Sequence, residues 1–255
     1  MSPTTAPNPR TASPAARLDA DRVPNRFLHA RDWQDPRYAR LREEFDRFYR
    51  DDMGGTPHPS HAKHPERIVT HWSREWEYPW TVLNMRPAGG MRVVDLGCGG
   101  SPLLPYLDAR YGCVGAGVDP VLRSTTGGQT LRGFPREPEE VHPGITWLRR
   151  SMADTGLPDA SRDRVLCISV LEHVTPQTAR ATMREIRRLL VPGGLALITT
   201  DVGGDHRTLT VGYREIITMG EEAGLELDGA HDWTVPPPDD VPGTYHVVGF
   251  VLKKG

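Results

Sequence analysis

In VVDLGCGGSP, Val93 to Pro102, a β-branched pair leads through an acid into two closely spaced glycines and then a serine-proline step. At the end of a strand, Gly97 and Gly99 let the backbone approach a ligand, because a Cβ at either position would intrude or forbid a positive φ. Ser101 reads as an N-cap and Pro102 as the first helical residue. The free N–H groups and positive dipole end of such a helix can hold a carboxylate or phosphate. A dinucleotide fingerprint would need a third glycine at position 102, where the chain has Pro102. Asp95 would repel a diphosphate and attract an ammonium or sulfonium group. These residues predict a cationic, phosphate-free cofactor.

The elements that must carry this turn follow from periodicity. From Met91 onward, the runs MRVVDL, GAGVDP, ITWLRRS, RVLCISV and LALITT read as buried parallel strands. Helical patterns lie between them in SPLLPYLDARY and PQTARATMREIRRLLV, with a further helix in GYREIITMGEEAG. This predicts an α/β fold: a Rossmann-like, doubly wound, mostly parallel sheet that ends in a C-terminal antiparallel hairpin. The late strands are LELDGAHDWTV and YHVVGFVLKK, parted by the proline-rich VPPPDDVPG, and the helix within Val121 to Gly144 is expected to be short or displaced.

Residues 1–25, rich in Pro, Ala, Thr and Arg, have almost nothing to bury and read as a flexible tail. Residues 26–88 read as a helical N-terminal cap, and 89–255 as the core. In the cap, Tyr38, Leu41, Phe45 and Phe48 or Tyr49 have helical spacing. Ile68, Trp72 and Trp76 step by four residues, which predicts a second helix ending near Pro79.

A net charge of −2 on 255 residues leaves no global basic field to hold a nucleic acid or an anionic membrane. No DNA and no membrane partner is expected. The N-terminal stretch has no signal-like apolar run, and no segment is apolar enough to span a bilayer. Cys98, Cys113 and Cys167 are an odd number without metal-ligand spacing, which points to a reducing, cytoplasmic setting. Oligomeric state is left open, a homodimer included.

DLGCGGSP, VGAGVDP, SMAD, LPDASRDRVLCISVLEHV and EIRRLLVPGGLALITT occur in an order and spacing that resemble the class I S-adenosylmethionine-dependent methyltransferases of small molecules, over roughly Met91 to Phe250. The resemblance implies S-adenosylmethionine as cofactor. It places Asp95, Gly97, Cys98 and Gly99 around the methionine part, and Asp119, followed by Pro120, on the ribose diol. A carboxylate can accept both hydroxyl hydrogen bonds of a diol. It further implies that Asp154, beside Ala153, accepts the adenine amino group, and that Ser169 and Val170 border the site. Tyr78 and Arg74, on the helix before the first core strand, are assigned to the cofactor's carboxylate end.

Methyl transfer from a sulfonium is an in-line displacement, so alignment and exclusion of water are the protein's main tasks. A base is needed only where the nucleophile holds a proton. His173 in VLEHV, at the end of the fourth parallel strand, is the first candidate, the plainer alternative being that Glu172 and His173 cap the following helix or steady the cofactor. Asp201 and His206 lie on the loop after the fifth strand, where an acceptor would approach. Trp72, Trp76, Tyr78 and Trp80 could wall that pocket or simply pack on the sheet. His58, His61 and His64, with His71, sit in a loop broken by Pro59 and Pro65 without a cysteine, and no metal is expected.

SVLEHV replaces the Asn-Pro-Pro-Tyr type run of enzymes that methylate exocyclic base amines, which favours a small metabolite of specialised metabolism as acceptor. Two other functions stay open: methylation of a peptide, protein or RNA, and cofactor binding without turnover. Nicotinamide-dependent oxidoreduction ranks behind all three.

Overall fold

The computed structural model describes residues 23–52, 72–122, 142–203 and 210–255, with the backbone of 125–126 and 129–130. The chain enters as a short strand, β1 (Asn25–Phe27), followed by α1 (Pro36–Asp51) and α2 (Arg74–Met85). The core begins with β2 (Arg92–Leu96), α3 (Leu103–Tyr111) and β3 (Val114–Val118). A separate two-stranded ribbon, β4 (Thr125–Thr126) and β5 (Gln129–Thr130), precedes β6 (Thr146–Leu148) and β7 (Arg162–Ile168). The remaining elements are α4 (Pro176–Leu189), β8 (Leu190–Val202), α5 (Tyr213–Glu222), β9 (Leu225–Leu227), β10 (His231–Asp232) and β11 (His246–Lys254).

Side-chain caps start two of the helices. Asp35 accepts the Arg37 N–H at 2.8 Å ahead of Pro36, and Thr175 accepts the Thr178 N–H at 3.2 Å ahead of Pro176. In α1, Tyr38, Leu41, Phe45 and Tyr49 form the buried stripe.

The main sheet has the order β10-β1-β11-β8-β7-β2-β3-β6, with β9 also on β11. The run from β6 to β8 is parallel, and β11 lies antiparallel along β8. Side chains alternate between two cores, as a period of two requires. Val93 and Leu197 face α1, α2 and α3, while Val94 and Ile198 face α4 and α5. Strand order reverses between β2 and β7, and in open α/β sheets ligands bind at the carboxyl ends beside such a point.

Three expectations are corrected. Asn25, assigned to the tail, is fully buried; its side chain donates to Asp228 O at 2.7 Å and accepts the Val251 N–H at 2.7 Å, which builds β1 into the sheet. The cap therefore contributes a strand as well as helices. The second helix runs through Pro79 to Met85. Pro79 removes one backbone donor, but Glu75 to Met85 are all buried, and that burial offsets the lost bond. The late strands pair antiparallel as expected, β9 along the end of β11, while the short β10 that follows β9 runs parallel to β1.

Asp32 holds the cap together. Its Oδ2 accepts from Arg26 Nη1 at 2.6 Å, from the His29 N–H at 2.9 Å and from Trp76 Nε1 at 3.0 Å. Trp80 adds a bond from Nε1 to Pro24 O at 2.9 Å, and its indole lies where a Cβ on Gly249 of β11 would come within 2.7 Å. Asp32→Ala strips the buried Arg26 of its counter-charge, and the expected cost is about 3–5 kcal/mol of unfolding free energy. Urea denaturation measures this, and a loss below about 1 kcal/mol, the range of exposed pairs, would contradict it.

Candidate functional site

The bend after β2 has the backbone its glycines predict, with φ of +74° at Gly97 and +48° at Gly99. The Gly97 N–H donates to Val118 O at 2.7 Å, and a Cβ on Gly97 would lie 2.6 Å from the Val170 side chain. The Gly99 N–H donates to Asp119 Oδ2 at 3.0 Å, while Asp119 Oδ1 accepts the Val121 N–H at 2.7 Å. Asp119 is thus oriented at the end of β3, and each oxygen keeps a second lone pair for a ligand.

The helix start is one residue later than expected. Leu103 opens α3, Pro102 occupies the cap position, and Ser101 Oγ accepts the Leu103 N–H at 3.1 Å. A proline at the cap brings no side-chain acceptor, so the preceding serine supplies one. The Ser101 hydroxyl also donates to the Tyr78 hydroxyl at 3.1 Å, tying α2 to the bend.

A second tie lies at the start of α2. Arg74 Nη1 donates to Ser169 Oγ at 2.8 Å and pairs with Glu77 Oε2. Glu77 Oε1 accepts from Ser169 Oγ at 2.6 Å and from Thr199 Oγ1 at 2.5 Å. Ser169 occupies the left-handed region, φ +51°, where a non-glycine residue is strained and held by its surroundings. Burial would raise Glu77, but Arg74 and the two hydroxyls more than reverse this and hold it below its ordinary value. Burial would lower Arg74, yet the neighbouring Glu77 carboxylate leads the charges that raise it.

These groups line an open cleft at the carboxyl ends of β2, β3 and β7. Arg74, Tyr78, Asp95, Gly97, Cys98, Gly99, Asp119 and Ser169 all line it. Val170 stands behind Gly97, whereas Pro120, Ala153 and Asp154 follow β3 and β6 outside that lining. Asp95 is pushed up to about 8 by burial, with Arg74 opposing the rise and Asp119 adding to it. Trp76 and Trp80 are core residues with no exposed surface, and Trp72 packs on Tyr245 at 4.9 Å between ring centres.

Next to the cleft, Glu172 sits fully buried in a short turn, Leu171–His173. Its Oε1 accepts the Asp201 N–H at 3.0 Å and lies 3.9 Å from His173 Nε2. Burial, reinforced by Asp201, pushes Glu172 up to about 8. Asp201 rises to about 7 through burial and the charge of Glu77. The structure thus brings His173 and Asp201, two separate candidates from the sequence, together around the carboxyl group of Glu172. Glu77 was missed altogether. Its one signal, an acid amid WEYPW, does not distinguish a buried charge from a solvated one. His206 and the histidines at 58, 61, 64 and 71 lie outside the described residues.

A parallel sheet with a glycine bend and an acid at two successive strand ends defines a Rossmann-like, cofactor-binding domain. Residues 94–198 match the model of the methyltransferase domain family, and this stretch is a class I S-adenosylmethionine-dependent methyltransferase domain. S-adenosylmethionine is the cofactor of such domains. The chain is 31% identical over 149 residues to a tRNA U34 carboxymethyltransferase of Trichlorobacter lovleyi, covering 56% of this chain and 42% of that protein. It is 32% identical over 152 residues to a ubiquinone biosynthesis O-methyltransferase of Xanthomonas oryzae pv. oryzae, covering 58% and 54%. The chain thus spans about half the length, or less, of these curated relatives. In fold it is similar to geranyl diphosphate C-methyltransferase from Streptomyces coelicolor A3(2), with a TM-score of 0.56 at 15% identity over 86% of this chain and 98% of the other.

Glu77→Gln leaves Arg74 without its counter-charge in a buried setting, and the expected loss at neutral pH is about 3–5 kcal/mol. Because the folded-state value of Glu77 is depressed, its contribution is complete above the ordinary 4.5 and is lost as pH falls through the lower folded value. Denaturation series for both proteins should therefore converge on acidification below 4.5. A gap that stays constant into that range would contradict the assignment.

Proposed function

We propose that the protein transfers the methyl group of S-adenosylmethionine to an oxygen, nitrogen or carbon nucleophile of a small metabolite, in a biosynthetic role in the reducing cytoplasm. The observation that carries this reading is the acid-lined cleft at the carboxyl edge, walled by the glycine bend on one side and by α2 on the other. Asp119 takes the ribose diol, Asp154 the adenine amino group, and Asp95 the cationic methionine end. Arg74 and Tyr78 face the cofactor's carboxylate, and the Gly97 to Gly99 backbone admits it closely.

With donor and acceptor aligned, the nucleophile's lone pair forms the new bond to the methyl carbon as the carbon–sulfur bond breaks. S-adenosylhomocysteine leaves, and water excluded from the cleft cannot compete. His173 and Asp201 belong to the acceptor end, where the proton of an O–H or N–H nucleophile has to be handled; His206, outside the described residues, is proposed for the same task. A small acceptor is supported by the buried seating of α2 beside the cleft and by the net charge of −2. The three free, buried cysteines support the reducing setting. No helix among the described residues is long and apolar enough to cross a membrane.

The likeness to a tRNA U34 carboxymethyltransferase favours a second reading, with RNA as acceptor. Incubation with methyl-labelled cofactor, metabolite fractions and tRNA in parallel separates the two. Label in a small-molecule fraction is the expected result, and label in tRNA alone would contradict the leading proposal.

Two binding measurements test the residue roles. Asp119→Ala removes a charge-assisted contact to the diol, an expected loss of about 1.5–3 kcal/mol, or roughly 10- to 150-fold in cofactor affinity by calorimetry. An unchanged affinity would remove Asp119 from the site. Since Asp95 is raised to about 8 and its ionised form attracts the sulfonium, cofactor binding near neutral pH should release a proton, and affinity should climb as pH approaches 8. Titrations in buffers of different ionisation heat detect that proton, and Asp95→Asn should abolish it.

A further inference from the structure

We propose that Glu172, His173 and Asp201 bind a divalent cation at the acceptor end of the cleft. Each offers a ligand atom, and all three atoms lie within 4.8 Å of one another. Ligands about 2.0–2.2 Å from a shared ion stand roughly 3–4 Å apart, a range that includes the 3.9 Å from His173 Nε2 to Glu172 Oε1. Closing the remaining separation needs a movement of about an ångström, within reach of side-chain rotation.

The polar accounting supplies an independent argument. Glu172 has no exposed surface and Asp201 is 8% exposed, yet Glu172 Oε2 and Asp201 Oδ1 have no hydrogen-bond partner among the described residues. A buried carboxylate oxygen without a donor is costly, and the two residues that carry one stand beside the same imidazole, with a ligand atom of each within 4.8 Å of the others. Arg74, a cation that acts on Asp201, is committed to Glu77 and Ser169. A divalent ion satisfies both orphaned oxygens at once. An imidazole with two carboxylates suits Mn²⁺, Zn²⁺ or a similar first-row ion. The imidazole of His173 is 38% exposed and the adjoining hollow, lined by Asp201, Gly203, Thr210 and Gly212, gives the ion a way in.

Its use rests on the methyl-transfer reading above. An acceptor hydroxyl that ligates the ion loses its proton to solvent more readily, because the ion stabilises the resulting oxyanion. The oxyanion then forms its bond to the methyl carbon as the carbon–sulfur bond breaks. This selects acceptors that present a hydroxyl, alone or beside a second oxygen.

The test is Mn²⁺ binding to the untagged full chain, freed of metal by chelation and followed by loss of the free-ion electron paramagnetic resonance signal. S-adenosylhomocysteine binding, measured in parallel, reports the fold and the cofactor site without turnover. One saturable Mn²⁺ per chain is expected. Binding should weaken about tenfold or more in Glu172→Gln, Asp201→Asn and the surface-accessible His173→Ala, while S-adenosylhomocysteine still binds. No saturable Mn²⁺ binding to the wild type would overturn the proposal, leaving a proton shared between the carboxyl groups as the explanation. Equal affinity in wild type and His173→Ala, as for an ion held by the histidines at 58–64, would overturn it too. Loss of S-adenosylhomocysteine binding in the wild type with Mn²⁺ binding intact would fault the cofactor reading alone.

Discussion

The carboxylate of Glu77 is the constraint around which the site is organised. It lies with no exposed surface between α2 and the ends of β7 and β8, and it is compensated by one guanidinium and two hydroxyls drawn from three elements. A buried charge that loses such partners is far more expensive than one that never formed. The chain therefore has to bring Arg74, Ser169 and Thr199 to the same point, and doing so seats α2 against the sheet. Arg74 and Tyr78 reach the cleft as a consequence, because both ride on that helix.

The same arrangement sets the electrostatics. Glu77, Asp201 and Asp95 all act on the Arg74 guanidinium and Asp119 lines the same cleft, so the described lining is richer in acceptors than in positive charge. Such a site suits a donor that is itself cationic and carries hydroxyls and an amine, and it disfavours a diphosphate. Asp95 and Asp201 are raised for related reasons: burial disfavours the ion, and a neighbouring carboxylate adds to the effect. A positively charged ligand held against Asp95 would favour its ionised form, which couples binding to proton release at that residue.

What the sequence made legible was local. Apolar runs gave the five parallel strands, because strands buried on both faces need continuous apolar stretches. Gly97 and Gly99 were visible because tight bends restrict which residues can stand there, and Asp119 through the resemblance of VGAGVDP to the family's second motif. Glu77, Glu172 and Asp32 were not, since their partners lie far along the chain: Glu77 and Thr199 are 122 residues apart, and Asp32 and Trp76 are 44 apart. Pro79 misled for the converse reason, as its local preference to stop a helix was overridden by burial on every side. The strand at Asn25 was hidden because its pairing depends on β10 and β11 at the other end of the chain.

The central claim is that α2 and the glycine bend form a single binding wall, joined through Ser101–Tyr78 and through Glu77. Hydrogen–deuterium exchange with and without S-adenosylhomocysteine tests it directly. Amides of residues 74–85 and of 97–103 should slow together when the ligand is added. Protection confined to the bend, with exchange in the helix unchanged, would contradict the account.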